Sequence, residues 1–139
     1  MTPQQLEAIL NDNFAPWVLA LGLSVQPFDA PQGDGQGVTL RMPHSDQLSR
    51  VGGIACGQAL MAAADTAMGL AIARHIGEFK PCTTVQMNTS FLKPLSGQDA
   101  LVQARVIRAG KALVFGEIDI RSANDGKSVC RATATWALL

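Results

Sequence analysis

The stretch ACGQALMAAADTAMGLAIARHI, residues 55–76, decides the fold of this chain. A helix built from it is apolar on nearly every side, which is typical of a buried helix. Ala and Gly recur along it, and such small side chains let other elements approach the helix backbone closely. At 1.5 Å per residue the helix would be about 33 Å long, enough to thread a small domain. Asp65 and Arg74 interrupt the apolar run, which argues against a membrane span.

The first residues of the chain predict another helix. Thr2 can cap a helix that begins at Pro3, because proline fits the first helical turn. Apolar residues then recur at three- and four-residue steps, which indicates an amphipathic helix. We expect this helix to be kinked at Pro16 and to end near Gly22.

A hairpin and a loop are expected between the two helices. Residues 23–28 and 38–42 read as strands, and the Gly-, Pro- and Asp-rich residues 30–37 read as the turn that joins them. Residues 43–53 show no clear periodicity and are predicted to be a loop.

The sequence after the long helix predicts four strands. They are residues 83–92, 100–108, 112–121 and 128–138. Asn124-Asp125-Gly126, before the last of them, is typical of a tight hairpin. We therefore expect a meander of four strands and an α+β fold. Its curled antiparallel sheet of about six strands wraps around one long central helix, with an N-terminal helix beside it, in a single domain over residues 1–139.

Composition narrows the functional classes. The formal net charge is zero, so neither a nucleic-acid-binding surface nor a basic membrane-binding arm is expected. Cys56, Cys82 and Cys130 are odd in number and form no C-x-x-C pair, which argues against a zinc site. We predict no metal, no cofactor, no membrane partner and a reducing cytoplasmic location.

Asp65 is the first candidate for chemistry, because it lies in the middle of the apolar helix. A buried carboxylate is costly unless it is paired, protonated or facing a cleft. Asp65 is therefore either a functional acid or a structural one bonded to backbone groups or to a partner subunit.

Glycines at the start of the same helix are the second candidate. Gly52, Gly53 and Gly57 could let a substrate carbonyl approach free N–H groups, which is the arrangement of an oxyanion hole. A flexible loop with tight packing is the alternative reading. Gly57 and Asp65 are about 12 Å apart along one helix, so a single carbonyl cannot contact both. If both act on one bond, they come from two copies, and the site lies at a dimer interface.

Other residues near the helix start complete the candidate site. Gln58, Met61 and Met68 fall on the face of the helix that carries Asp65 and could line a cleft, although such a stripe can equally be core packing. Cys56 stands at the helix start, where a thiol pKa can be lowered, but no histidine base is evident near it. A nucleophilic role for Cys56 is therefore not favoured.

Residues 52–69, GGIACGQALMAAADTAMG, resemble the signature of the PaaI-type (phenylacetic-acid pathway) hotdog thioesterases. TVQMNTSFLKP, residues 84–94, is similar to the central strand of that family, and residues 105–113 are similar to its next turn. The resemblance runs from about Gly22 to the C-terminus. It implies a hotdog fold, an acyl-CoA thioesterase activity and self-association as a dimer or a dimer of dimers, that is, a homotetramer.

The resemblance also implies roles for individual residues. Asp65 matches the catalytic acid, acting as nucleophile or as general base, and Gly57 matches the glycine whose N–H polarises the thioester carbonyl. Thr84 matches a hydroxyl residue that helps to hold the water. Arg108 and Lys111 match cations that often contact coenzyme A phosphates, although two cations on a turn are usually just solvated.

Three positions depart from the family pattern. Cys56 replaces a histidine, Arg50 replaces a polar residue that is often Asn, and Gln58 replaces a second glycine. These changes leave open a non-catalytic acyl-CoA-binding oligomer. A hotdog hydratase is disfavoured, because Leu70 stands where that class has its His, and a dehydratase is disfavoured because the long helix holds no Glu.

Overall fold

The computed structural model describes residues 1–28 and 37–139. Within these ranges the α-helices are α1 (Pro3–Asn13), α2 (Pro16–Leu19) and α3 (Gly57–Ile76). The strands are β1 (Ser24–Val25), β2 (Val38–Met42), β3 (Ser49–Arg50), β4 (Ile54–Ala55), β5 (Cys82–Phe91), β6 (Ala100–Ala109), β7 (Leu113–Ser122) and β8 (Ser128–Leu138). The predicted α+β composition is confirmed.

The N-terminal helix begins as predicted but does not simply kink. The Thr2 hydroxyl accepts a hydrogen bond from the Gln5 N–H, and the Gln5 side chain accepts one from the Thr2 N–H, which forms a capping box. Pro16 starts a separate helix, α2, and Ala15 before it is extended, at φ −61° and ψ 148°. The reason is steric, because the residue before a proline avoids the helical region.

Among the described residues, six strands form one antiparallel sheet in the order β1-β2-β6-β7-β8-β5. The expected pairing of the first two strands is confirmed, with Ser24 opposite Arg41, although β1 is shorter than residues 23–28. The turn expected at residues 30–37 lies, apart from Gly37, outside the described residues. Residues 43–53 are not simply a loop, since they contain a 3-10 helix (Asp46–Leu48) and β3, which pairs with β4 in a separate two-stranded sheet.

The expected meander of four strands is wrong in one respect. β6, β7 and β8 follow one another as a meander, but β5 pairs with β8 and lies at the far edge of the sheet. Alternation of apolar and polar residues marks where a strand lies but not which strand it pairs with. Residues 92–99, which join β5 to β6, are too long for a tight hairpin and carry the chain across the sheet to β2.

α3 packs against the inner face of the sheet as the buried helix that its composition predicts. It begins at Gly57 rather than near residue 55, because Ile54 and Ala55 form β4. A Cβ atom on Gly116 of β7 would lie 2.2 Å from the Met68 sulfur, so the helix and the sheet touch where that side chain is missing. No helix among the described residues is long and apolar enough to cross a membrane.

Candidate active site

A carboxylate and a hydroxyl meet between α3 and β5. The Thr84 Oγ1 donates a hydrogen bond of 2.7 Å to the Asp65 Oδ1. Thr84 stands opposite Trp136 of β8, and the register between β5 and β8 shifts between Thr84 and Gln86. Such a bulge re-aims side chains and is common beside functional sites. The structure therefore brings together the two residues that the sequence proposed as catalytic acid and water-holding hydroxyl.

The surroundings of Asp65 alter its affinity for a proton. The side chain is half-buried in an otherwise apolar helix, and this burial raises the pKa of the Asp65 carboxyl above its ordinary value. The hydrogen bond from Thr84 favours the charged form and opposes part of that rise. A carboxylate that binds protons more readily than usual is better suited to act as a general base near neutral pH.

Cys82 shares these surroundings, and the sequence did not single it out. Burial raises the pKa of the Cys82 thiol, and the negative charge of Asp65 adds to the rise. A thiol held in its neutral form is a poor nucleophile, so Cys82 forms part of the wall near Asp65 rather than a reactive group. Its place two residues before Thr84 on a strand was the available signal, because residues i and i+2 share a face.

Gly57 lies at the other end of the space between α3 and β5. It is the first residue of α3, after Cys56, which is extended and makes no capping hydrogen bond through its side chain. No described residue accepts a hydrogen bond from the Gly57 N–H. A Cβ atom on Gly57 would lie 3.2 Å from the half-exposed ring of Phe91. Glycine is therefore the residue that leaves this N–H most accessible.

Gly52 and Gly53 have a structural task instead. Their φ angles are 97° and 76°, and they join β3 to β4 in a tight hairpin. Positive φ angles are adopted readily by glycine and rarely by other residues. Both glycines are exposed, and a Cβ atom added to either would meet no described atom within 4 Å, so backbone conformation rather than tight packing accounts for them. Gly57 alone remains a candidate oxyanion donor.

A groove of about 330 Å³ opens beside Gly57. Arg50 lines this groove, whereas half-buried Cys56, which directly precedes Gly57 in the chain, is not among its lining residues. The described residues that line it are Arg50, Ile54, Ala55, Gly57, Leu60, Phe91, Leu92, Lys93, Pro94 and Leu95. The groove therefore joins the start of α3 to the end of β5.

The stripe of residues on α3 does not share one environment. Gln58 and Met61 are exposed, whereas Met68 is fully buried and packs against Gly116. The first half of the stripe is open and the second half is covered by the sheet. Core packing, the alternative noted for this stripe, is therefore what the structure shows for Met68.

Arg108 and Lys111 are exposed at the β6–β7 turn. Leu113, the first residue of β7 after this turn, pairs with Ala137 of β8. The residue next to Ala137, Leu138, pairs with Cys82, the first residue of β5. The two cations therefore lie at the end of the sheet where β5 begins. That is the end occupied by Asp65 and Thr84.

A family model described as the thioesterase superfamily matches residues 52–129, which are more than half of the chain. The chain belongs to the thioesterase superfamily. The matched segment starts at Gly52 and contains Gly57, Asp65 and Thr84. This membership supports thioester hydrolysis in general terms and leaves the substrate open.

Two solved structures show that this superfamily member has the hotdog fold. A thioesterase from Haemophilus influenzae superposes with a TM-score of 0.84 at 22% identity, covering 100% of this chain and 91% of that one. The PaaI protein of the E. coli phenylacetic acid degradation operon superposes with a TM-score of 0.81 at 20% identity, covering 99% and 93%. Identities this low establish the fold alone, and the predicted PaaI-like hotdog fold is confirmed.

Curated relatives of this superfamily member come from archaea. A protein of Saccharolobus solfataricus whose name provisionally calls it an esterase is 36% identical over 101 residues, which are 71% of this chain and 65% of that protein. A second protein of that organism with the same kind of name is 28% identical over 100 residues. The chain spans just under two thirds of the length of the first of these relatives.

Proposed function

We propose that this chain hydrolyses acyl-CoA thioesters in a site shared by two copies. Asp65 of one copy activates the attacking water, and the Gly57 N–H of the other copy polarises the thioester carbonyl. The observation that carries the proposal is the position of the two residues along β5. The Asp65 carboxylate accepts a hydrogen bond from Thr84 near the first residue of that strand. Gly57 lies beside the ring of Phe91, the last residue of the strand.

The free edge of β5 supports a shared site. Among the described strands β5 pairs with β8 alone, so one edge of this ten-residue strand is left without a partner. Such an edge is a ready template for pairing with another chain. Antiparallel pairing of β5 with its copy around a two-fold axis would place Thr84 of one chain towards Phe91 of the other. Asp65 of one copy would then approach Gly57 of the other.

The proposed reaction needs no group beyond these residues and water. The Asp65 carboxylate takes a proton from the water while the water oxygen bonds to the thioester carbon. The negative charge that develops on the carbonyl oxygen is stabilised by the Gly57 N–H. When the tetrahedral intermediate collapses, the C–S bond breaks, and the proton held by Asp65 passes to the thiolate of coenzyme A. Direct attack by Asp65, through an anhydride that water then cleaves, uses the same placement of groups.

The remaining candidate residues are assigned to the substrate. Arg108 and Lys111, exposed at the Asp65 end of the sheet, would contact the coenzyme A phosphates. Gln58 and Met61 on the open half of the α3 stripe would line the substrate cleft. The self-association proposed is a dimer through β5, which can pair further into a dimer of dimers.

A non-catalytic acyl-CoA-binding oligomer is the second candidate. The family's motif histidine is Cys56 here, and its side chain makes no hydrogen bond at the start of α3. The polar residue that is often Asn is Arg50. Both departures fall beside Gly57, where the carbonyl would bind.

Thiol release from short, medium, long and aromatic acyl-CoAs tests the proposal. We expect turnover by the wild type and a fall of at least about a hundredfold in kcat/KM for Asp65→Asn, the loss typical of removing a general base. Asp12→Asn, an exposed acid on α1, is the matched control and should retain full activity. Tight acyl-CoA binding with no thiol release by folded wild type would instead establish the binding protein.

A further inference from the structure

Two cations share the groove beside Gly57 with an apolar floor. Arg50 and Lys93 line it, and no Asp or Glu is among the residues of 1–28 and 37–139 that do so. Leu60 and Leu95 are buried, and the half-exposed Phe91 ring forms another part of the wall. A surface that joins apolar carbon to positive charge suits a ligand that joins an apolar chain to an anion.

We propose that this groove selects acyl groups that end in a carboxylate, so that the substrates are thioesters of short dicarboxylic acids. The inference rests on the proposed function, because it takes the thioester carbonyl to lie at the Gly57 N–H. Gly57 and Arg50 line the same groove. An acyl chain that starts at Gly57 and continues into the groove therefore ends near the guanidinium.

The charge of Arg50 is available for a ligand. Arg50 is exposed and forms no ion pair with any residue in the ranges 1–28 and 37–139. Its planar guanidinium can donate two parallel hydrogen bonds to one carboxylate. Lys93 is also exposed. Its positive charge helps to lower the pKa of the Asp125 carboxyl, but the two side chains form no ion pair. Arg50 is therefore the principal anion ligand, with Lys93 as a second positive charge.

The size of the groove limits the acyl chain. Its volume of about 330 Å³ is near the lower end of the roughly 300–1,000 Å³ that ligand pockets span. The ring of Phe91 closes one side. We therefore expect chains of about five or six carbons to fit the groove.

Phosphate oxygens of coenzyme A are another source of negative charge, and the experiment has to separate them from an acyl carboxylate. The apolar floor favours the acyl group, because methylene groups gain from contact with Leu60 and Phe91 whereas phosphates do not. Thioesters of N-acetylcysteamine carry the same acyl groups and no phosphate. They report on the acyl carboxylate alone.

The experiment compares pentanoyl with glutaryl and hexanoyl with adipoyl, each as the coenzyme A and the N-acetylcysteamine thioester. The enzymes are wild type, Arg50→Gln, Lys93→Gln and the control Lys127→Gln, an exposed-turn lysine that does not line the groove. For wild type we expect kcat/KM to favour the dicarboxylic member of each pair by about tenfold or more, the gain from one charge-assisted contact. That ratio should fall towards one in Arg50→Gln, fall partly in Lys93→Gln and stay unchanged in Lys127→Gln.

Each other outcome contradicts a distinct statement. A wild-type ratio at or below one overturns the carboxylate site while leaving thioester hydrolysis standing. Equal losses with all four coenzyme A thioesters in Arg50→Gln, and none with the N-acetylcysteamine thioesters, assign the cation to a phosphate. If wild type hydrolyses no thioester, the proposed function fails. The preference for the dicarboxylic member of each pair is then measured as a ratio of Kd values, by calorimetry with the intact coenzyme A thioesters.

Discussion

On either side of Asp65, Ala64 and Thr66 are buried, and Thr66 bonds back to the Ala62 carbonyl within the helix. Asp65 has no such partner within α3, and its hydrogen bond comes from β5. Burial disfavours the charged carboxylate, and the Thr84 hydroxyl restores part of the stability of that form. The balance between these two effects sets the pH below which Asp65 becomes protonated.

Thr84→Val tests this balance. As a general base Asp65 works in its charged form, so kcat/KM falls as the pH drops through its raised pKa. Valine removes the hydrogen bond that lowers the pKa of Asp65, and we expect the acid limb of the pH–rate profile to move to higher pH. Thr83→Val, at the exposed neighbouring position, should leave that limb in place. An unshifted limb in Thr84→Val would show that the hydroxyl does not tune Asp65.

At the level of single residues, the sequence predicted part of the candidate site. An acid inside an apolar helix marked Asp65, and the family resemblance marked Thr84, whose bond to Asp65 the structure shows. Cys82 was missed, although its place two residues before Thr84 predicts that the two side chains share one face of the strand. For Met68 the sequence left two readings open, a cleft wall or core packing, and the structure decides for core packing because this part of the helical stripe lies beneath the sheet.

At the scale of the elements, α3 and β7 meet at Gly116. Its missing side chain leaves room for the Met68 thioether, and a Cβ there would also lie 2.9 Å from the Arg105 carbonyl oxygen. Met68 is one turn of α3 beyond Asp65. The packing of α3 against β7 at this point therefore affects the position of the Asp65 carboxylate.

Gly116→Ala should disturb the packing of α3 against β7. Because overpacking of a filled core typically costs about 1–3 kcal/mol, we expect the free energy of unfolding to fall by that amount. Chemical denaturation would measure it. Gly110→Ala is the control, since its Cβ would meet only the Leu113 carbonyl oxygen at 3.4 Å. Equal stability of the two variants would mean that α3 does not press on β7.

Elements were more predictable than their arrangement. The bounds of the four long strands lie within a residue or two of the predicted ones, because alternation along a half-buried strand is a local signal. The place of β5 at the far edge depends on contacts between residues distant in sequence. No local pattern in residues 92–99 states where the chain goes next.

At the scale of the whole molecule, the proposed site is divided between copies, and this division can be tested by mixing two inactive proteins. Asp65→Asn removes the base, and Gly57→Pro removes the N–H. Proline is well tolerated at the first helical position, and Cys56 is already extended at φ −70° and ψ 146°. Gly57→Ala, which keeps the N–H, controls for the added Cβ near Phe91.

Each variant alone should be inactive as a homodimer. In a mixed dimer one site carries both substitutions and the other carries neither, so refolding the two variants together should restore activity. Random pairing in equal amounts predicts roughly one quarter of the wild-type activity per chain. If the base and the N–H acted within one chain, every site would keep one defect and mixing would restore nothing.

The position of β8 between β7 and β5 has a consequence for biosynthesis. A ribosome delivers α3 and β5 well before β8, so β5 waits for its neighbour with both of its edges unpaired. Until β8 emerges, α3 lacks the Trp136 ring that rests on Gly69. During this interval the nascent chain would therefore expose apolar surface, a state prone to aggregation. Chaperone contact should be concentrated in this interval, and a stop codon within β8 should yield no stable truncated protein.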